Sequence, residues 1–427
     1  MNICMVSFHS CPYEPLGGDG SGGMSVYLKE LSSVLCANHD VKMDIFTRSK
    51  DPDIKDEIEI TPGLRIIHLK GGPKVYYDRF QLFKYLPEFI TNLQDFIQQK
   101  KRTYDLVYTH YWLSGLAGEW IGQDLEIPLV HTYHTLAVLK EKALGIPEML
   151  ERRMAEEHLA SRVDRIISSS NQERDHLLKR FGLRPDDVTV VYPGVNRDVF
   201  LPSSGSNAFK EYDIKDRDLV FLYAGRIEPV KGLLNLVKAL CHLKSTERAF
   251  YDRIRFFFIG GGDREKDIPQ NQEALAVQKY AAENGLEDRI VFLGSKKQEQ
   301  LKDYYSAADA LVVPSLYESF GLVVVEALSC GIPVLVSSIG EMKTFIKNGK
   351  NGFSFLPDDP GSLAACLMKF ASSKNRLWHP GKISKNIGQI VSWEKTAEGV
   401  LKVFRSLDGK QIKATTISPR GENPQPM

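Results

Sequence analysis

Twice along this chain, short apolar runs rich in β-branched and aromatic residues alternate with longer segments of helical period, and that alternation leaves little choice of fold. The first series occupies residues 2–8, 41–47, 64–69, 105–109, 128–131, 163–168 and 188–192; the second occupies 218–224, 254–259, 289–293, 309–313 and 332–336. Strands separated by helix-length segments cannot pair as hairpins, so they pair in parallel, as βαβ units with helices over the sheet. A chain of 427 residues is too long for one ordinary core and suits two of about 200 residues each. The expected fold class is α/β, with two Rossmann-like, doubly wound domains facing each other across a cleft.

Residues 194–217 hold Pro, Ser and Gly without apolar period, which sets the boundary near residue 205: a first domain over 1–205 and a second over 206–385. The helical pattern around Trp393 to Phe404 gives a last segment, 386–406, expected to cross back to the first domain. Residues 407–427, with Ser-Pro and Asn-Pro-Gln-Pro steps, read as a disordered tail.

Lys+Arg of 55 against Asp+Glu of 54 gives a formal net charge of +1, which removes the basic footprint of a nucleic-acid binder and points to a small-molecule partner. The six cysteines are scattered with no C-x-x-C pair, so a zinc site is not expected and the thiols read as reduced, in the cytoplasm. The opening Asn2 to Phe8 run carries no basic residue before Lys29 and is wrong for a signal peptide. No stretch approaches the roughly 18 apolar residues of a membrane span. The aromatic Tyr76 to Phe89 segment lacks a clear basic face, so membrane contact is peripheral at most. A homodimer is left open.

The chemistry-bearing motifs all follow strands, where open parallel sheets bind ligands. Gly18-Asp-Gly-Ser-Gly-Gly23 matches G-x-G-x-x-G but stands about ten residues beyond its strand, too far for a dinucleotide fingerprint. Gly22 and Gly23, opening onto a helix near Met24, suit close backbone approach to a phosphate. A flexible surface turn is the plain alternative. In Pro314-Ser-Leu-Tyr-Glu318-Ser319-Phe320-Gly321-Leu322-Val-Val-Val-Glu326, a strand ends, a loop turns and a helix begins near Phe320. Glu318 in the loop and Glu326 about two turns into the helix can address different parts of one long ligand. A ribose diol suits a carboxylate, and the amides of Ser319 to Leu322 suit a diphosphate. Read structurally, the pair would be a cap and a solvated helix residue.

Tyr223-Ala-Gly225-Arg226-Ile-Glu-Pro-Val-Lys231 places two cations at another strand end, where they can stabilise the charge of a leaving diphosphate. Otherwise they are solvated loop residues. Tyr108-Thr-His110-Tyr111-Trp112 and His131-Thr-Tyr-His134-Thr135 follow strands in the first domain. No third ligand completes a metal site around these histidines, so sugar-hydroxyl contacts are preferred over the plain reading of packed core residues.

Together these residues resemble glycosyltransferase family four, of GT-B fold, over nearly the whole chain; Glu318 and Glu326 meet its E-x7-E signature. Gly22-Gly-Met24, His110-Tyr-Trp-Leu-Ser-Gly115, His131-Thr-Tyr-His-Thr-Leu136 and Pro193-Gly-Val are similar to the branch of inositol-phosphate N-acetylglucosaminyltransferases and sucrose-phosphate synthases. The resemblance implies a retaining, metal-independent transferase without cofactor, moving a hexose or N-acetylhexosamine from a UDP-sugar to a small acceptor, phosphorylated or neutral. In it Glu326 binds the donor ribose, Glu318 and the Phe320–Leu322 amides hold the donor sugar, Arg226 and Lys231 hold the diphosphate, and His134 lies beside the reacting sugar. It also implies an acceptor grip by Arg79, Tyr111, Thr135 and Arg152, with His110 nearby; Arg79 stands where the branch usually has Lys. The alternatives are a transferase of polysaccharide or glycolipid assembly, a nucleotide-sugar epimerase, a nicotinamide oxidoreductase and a binding protein without turnover.

Overall fold

A computed structural model describes residues 1–13, 22–203, 207–261 and 272–407, leaving aside the side chains of Arg79 and 374–377. Gly18 and Gly20 of the glycine loop, and the tail from 408 on, lie outside the described residues. The first sheet is built from β1 (Asn2–Val6), β2 (Lys42–Arg48), β3 (Glu57–Thr61), β4 (Leu64–Leu69), β5 (Leu106–His110), β6 (Leu129–Thr132), β7 (Arg165–Ser168) and β8 (Val188–Val190). The second is built from β9 (Leu219–Ala224), β10 (Ile254–Ile259), β11 (Ile290–Phe292), β12 (Ala310–Val313), β13 (Val334–Ser337) and β14 (Gly352–Phe355).

The strand orders are β3-β4-β2-β1-β5-β6-β7-β8 and β11-β10-β9-β12-β13-β14. Every pairing is parallel except β3 with β4. The fold is thus the α/β pair of doubly wound sheets expected from the alternation. Two strands escape that reading. β3, Glu57-Ile-Glu-Ile-Thr, is an antiparallel edge strand with acids at alternate positions, and β14 is a four-residue edge strand opening on Gly352. In each sheet the order reverses beside the first strand, between β1 and β5 and between β9 and β12, and the crevice beyond such a reversal is where ligands sit.

Helices cover both faces. β9, Leu-Val-Phe-Leu-Tyr-Ala, is buried along its whole length, with Phe221 and Tyr223 in one core and Leu222 and Ala224 in the other. Burying such a side chain is worth roughly 1.5–3 kcal/mol relative to leaving it in water. The helix Pro380–Gly388 places Ile383 and Ile387 in the second domain's core. The next helix, Trp393–Arg405, capped by Ser392, instead buries Trp393, Ala397, Val400, Leu401 and Phe404 against Ile3, Met5, Leu28 and Leu31 of the first. Gly194 lies against that crossing so closely that a Cβ there would stand 2.3 Å from Trp393 N.

Candidate functional site

The second domain contributes two loops at its strand reversal. After β9 the chain passes Gly225 (φ 150°), and Tyr223 Oη donates to Arg226 O at 2.5 Å. Gly260, at the end of neighbouring β10, must be glycine because a Cβ there would stand 1.8 Å from Gly225 O. A single turn, Pro229–Lys231, then delivers Lys231, and Leu316 N donates to Val230 O at 2.8 Å, tying this loop to the one after β12. Lys231 Nζ consequently meets Glu318 Oε2 at 2.5 Å, while Arg226, half exposed, pairs with Glu228 at 2.7 Å.

The helix expected near Phe320 starts at Leu322, because Gly321 takes a left-handed φ of 91° and turns the chain into it. Val324 N already donates to Gly321 O at 2.9 Å, which leaves the amides of Leu322 and Val323 at the helix opening to face the charge that a diphosphate would bring. Glu326 is buried in the same helix; Tyr305 Oη donates to its Oε2 at 3.0 Å. Burial raises its carboxyl to about 7, with the Glu30 carboxylate adding to the rise and the Tyr305 and Gln298 hydrogen bonds opposing it. Across the gap, Gly22 has its Cβ position 3.6 Å from Arg226 Nε, and Gly23 has its own 3.5 Å from Leu322 Cδ1. The glycine edge of the first domain therefore abuts the basic loop and the helix start of the second.

The first-domain wall is built from the ends of β5 and β6. His110 Nδ1 lies 3.0 Å from His134 Nε2, and His131 Nδ1 lies 2.8 Å from Thr109 Oγ1. Burial holds all three imidazoles neutral: His131 and His134 fall to about 3 and His110 well below its ordinary value, with His134 also opposing a charge on His110 and on His131. His134 has φ 63°, an uncommon left-handed conformation for a non-glycine residue. His110, expected among the acceptor contacts, is wholly buried and touches the His134 ring. His131 is equally buried.

Tyr111, Thr135 and Arg152 come together. The Arg152 guanidinium lies over the Tyr111 ring, 5.0 Å from its centroid, and its Nη2 donates to Thr135 O and Oγ1 at 3.0 Å each. It is only 1% exposed and is already paired, with Glu156 at 2.7 Å and Glu148 at 3.0 Å. Arg79 begins a short 3-10 turn, and its side chain lies outside what is described. Among the described residues no three His, Cys, Asp or Glu side chains gather as a metal site, and no helix is long and apolar enough to cross a membrane.

Comparison with known proteins decides the family. Residues 21–199 match the model of Glycosyltransferase Family 4, and residues 206–387 match that of Glycosyl transferases group 1. The D-inositol 3-phosphate glycosyltransferase of Streptomyces scabiei is 33% identical over 411 residues, 94% of this chain and 90% of that protein. Its counterpart from Geodermatophilus obscurus is 32% identical over 408 residues, 94% of this chain and 88% of that protein. The chain belongs to glycosyltransferase family four. Its fold is GT-B: the solved sucrose-phosphate synthase of Thermosynechococcus elongatus superposes with a TM-score of 0.83 at 30% identity, covering 95% of this chain and 98% of that one.

In this glycosyltransferase several residues shape the site that the motifs did not reveal. Glu148, Arg152 and Glu156 form an i, i+4 ladder, legible in principle as E-x3-R-x3-E. Gly340 (φ 54°) packs under the loop that carries Glu318, a Cβ there falling 2.3 Å from Glu318 O. Glu341 joins the domains, accepting from Asn171 N at 2.8 Å, Asn171 Nδ2 at 3.1 Å and Tyr192 Oη at 2.7 Å. Tyr317, next to Glu318, accepts from Leu136 N at 3.2 Å. No local sequence pattern announces the contacts of Glu341 and Tyr317, which join residues more than a hundred positions apart.

Proposed function

We propose that this glycosyltransferase is retaining and metal-independent, acts in the cytoplasm, and moves a hexose or N-acetylhexosamine from a UDP-sugar to a hydroxyl of a small acceptor. The observation that carries the reading is the placement of Lys231, Arg226 and the Leu322 helix start around one crevice, with Glu318 held by Lys231 and Glu326 deeper along the same helix. A diphosphate entering there meets two cations and the first-turn amides. Its charge grows as the glycosidic bond breaks, and groups already in place stabilise that charge without reorganising. Glu326 takes the ribose hydroxyls, and Glu318 takes hydroxyls of the sugar.

His134 stands on the opposite wall as a neutral imidazole, able to hydrogen-bond but not to repel an oxocarbenium-like centre by a full charge. With no carboxylate among the first-domain residues assigned to the acceptor except those already paired with Arg152, the acceptor's proton passes to a donor phosphate oxygen. That oxygen lies on the leaving-group face, so attack comes from that face and the anomeric configuration is kept.

Tyr111, Thr135 and Arg152 form the acceptor wall. Both kinds of relative carry phosphate in their names, as an inositol 3-phosphate acceptor or as sucrose phosphate, which supports a phosphorylated acceptor. A neutral acceptor is the second reading, favoured by the two carboxylates that already offset Arg152. A screen of UDP-, GDP- and ADP-sugars against inositol, hexoses and their phosphates, scored by nucleotide release, tests both. Turnover with phosphorylated acceptors alone supports the first, and equal turnover with the neutral ones supports the second.

A further inference from the structure

The segment Ser168–Glu173, where β7 runs into the helix Asn171–Phe181, takes no part in the chemistry above. Ser170 caps that helix, its Oγ accepting from Glu173 N at 3.1 Å. A glutamate at this third position ordinarily turns back to the cap's own N–H at a solvated helix end. Glu173 turns further and is buried. Its Oε2 accepts from Ser168 Oγ at 3.0 Å, Ser169 N at 3.2 Å and Ser169 Oγ at 3.3 Å, and Ser319 Oγ stands 3.5 Å away. Its Oε1 is buried with no hydrogen-bond partner among the described residues.

Ser319 lies between Glu318 and Phe320 in the second domain's donor loop, and its Oγ is 2.8 Å from Ser169 Oγ. A hydroxyl has one proton to give. If Ser169 Oγ gives its proton to Glu173, it accepts from Ser319, so donation runs Ser319 to Ser169 to Glu173 and ends on the carboxylate. A carboxylate is a costly way to cap a helix, since burying it with one oxygen orphaned works against stability. Burial pushes Glu173 up to about 7 despite the hydrogen bonds from Ser168 and Ser169, with Glu156 opposing its ionisation as well. The cost is understandable where a strong acceptor is needed at the domain junction.

We propose that Glu173 is a positioning residue for donor binding: it terminates a hydroxyl relay from Ser319 through Ser169 that fixes the Tyr317–Phe320 loop of the second domain against the first. The proposal rests on the reading of that loop as the donor grip. Tyr317, bonded to Leu136 N on the acceptor wall, anchors the loop's other end, so the relay sets the loop's height over the crevice.

A double-mutant cycle on nucleotide affinity in the full chain tests it. Calorimetry first identifies which of UDP, GDP and ADP the wild type binds most tightly, and that nucleotide is the probe. Glu173→Gln and Ser319→Ala should each weaken binding about 5- to 30-fold, the loss of one strong hydrogen bond. Their combination should be no more than about threefold weaker than the poorer single variant, because both remove one relay. Ser169→Ala with Ser319→Ala should show the same non-additivity, and carries the test if Glu173→Gln melts before it can be titrated. Wild-type-like affinity in the single variants, or losses that multiply in the doubles, overturns the relay while leaving the nucleotide site in place. A wild type that binds none of the three nucleotides overturns the functional reading and the relay with it.

Discussion

Lys231 Nζ and Glu318 Oε2 meet at 2.5 Å, joining the loop that follows β9 to the loop that follows β12 across the reversal of the second sheet. Their side chains are 16% and 19% exposed, so the pair is sheltered enough to fix both loops yet open to a ligand from the cleft. An ammonium held there is aimed before the diphosphate arrives.

Lys231→Ala should therefore lower kcat by about 10²- to 10³-fold, the usual effect of deleting one preorganised stabiliser of developing charge. Glu318 is then left without its cation, so the melting temperature should fall too. Steady-state nucleotide release together with a melting curve separates the two effects.

Donor affinity should depend on pH through Glu326. Its carboxyl titrates at about 7 in the unliganded protein, well above the ordinary value of 4.5, so it is largely protonated on the acid side of neutrality. Ribose hydroxyls donate to the ionised form, so nucleotide binding releases a proton below pH 7 and strengthens as pH rises towards it, by at most about tenfold per unit. Calorimetry between about pH 6 and pH 8 should show this rise flattened in Glu326→Gln. The linkage for folding has the same origin and the opposite sign. From 4.5 to about 7 the folded state keeps a proton that the unfolded chain has lost. Relative to Glu326→Gln, wild-type stability should thus fall as pH rises through that window.

Arg152→Ala should destabilise the fold by about 3–5 kcal/mol, because Glu148 and Glu156 lose their shared buried cation. Neighbouring Arg153 is 45% exposed, and Arg153→Ala should stay within about 0.5 kcal/mol. Urea unfolding of both variants checks the contrast, and equal losses would remove Arg152 from its structural role.

Gly340→Ala should act on the donor loop from below. The added Cβ would meet Glu318 O at 2.3 Å, and the left-handed backbone already disfavours a side chain, so the loop is displaced. A fall of at least about tenfold in kcat/KM, with the protein still folded by its melting curve, is the expected result.

The sequence shows what is written locally. Both sheets were legible because buried parallel strands such as Leu219–Ala224 are continuous apolar runs, whereas Glu57–Thr61, with acids at alternate positions, matched no such template. The pairing of Lys231 with Glu318 was approachable because each stands at a strand end and strand ends converge at a sheet reversal. Spacing locates His110 on β5 but does not tell that its ring is fully buried against His134. Ser319 was read for its amide alone, and the contacts of its hydroxyl, of Tyr317, of Glu341 and of Ser169 could not be read at all: they exist only once the domains meet, and nothing within a helical turn of each residue encodes that.

The most direct measurement of the central claim is product analysis with the wild-type chain, a UDP-hexose and a small hydroxyl acceptor, following nucleotide release and the anomeric configuration of the new linkage by NMR. Release of UDP matched by a glycoside of retained configuration, and loss of both in Lys231→Ala, is the predicted result. A product of inverted configuration, or tight NADH binding with no binding or turnover of any nucleotide sugar, would contradict it.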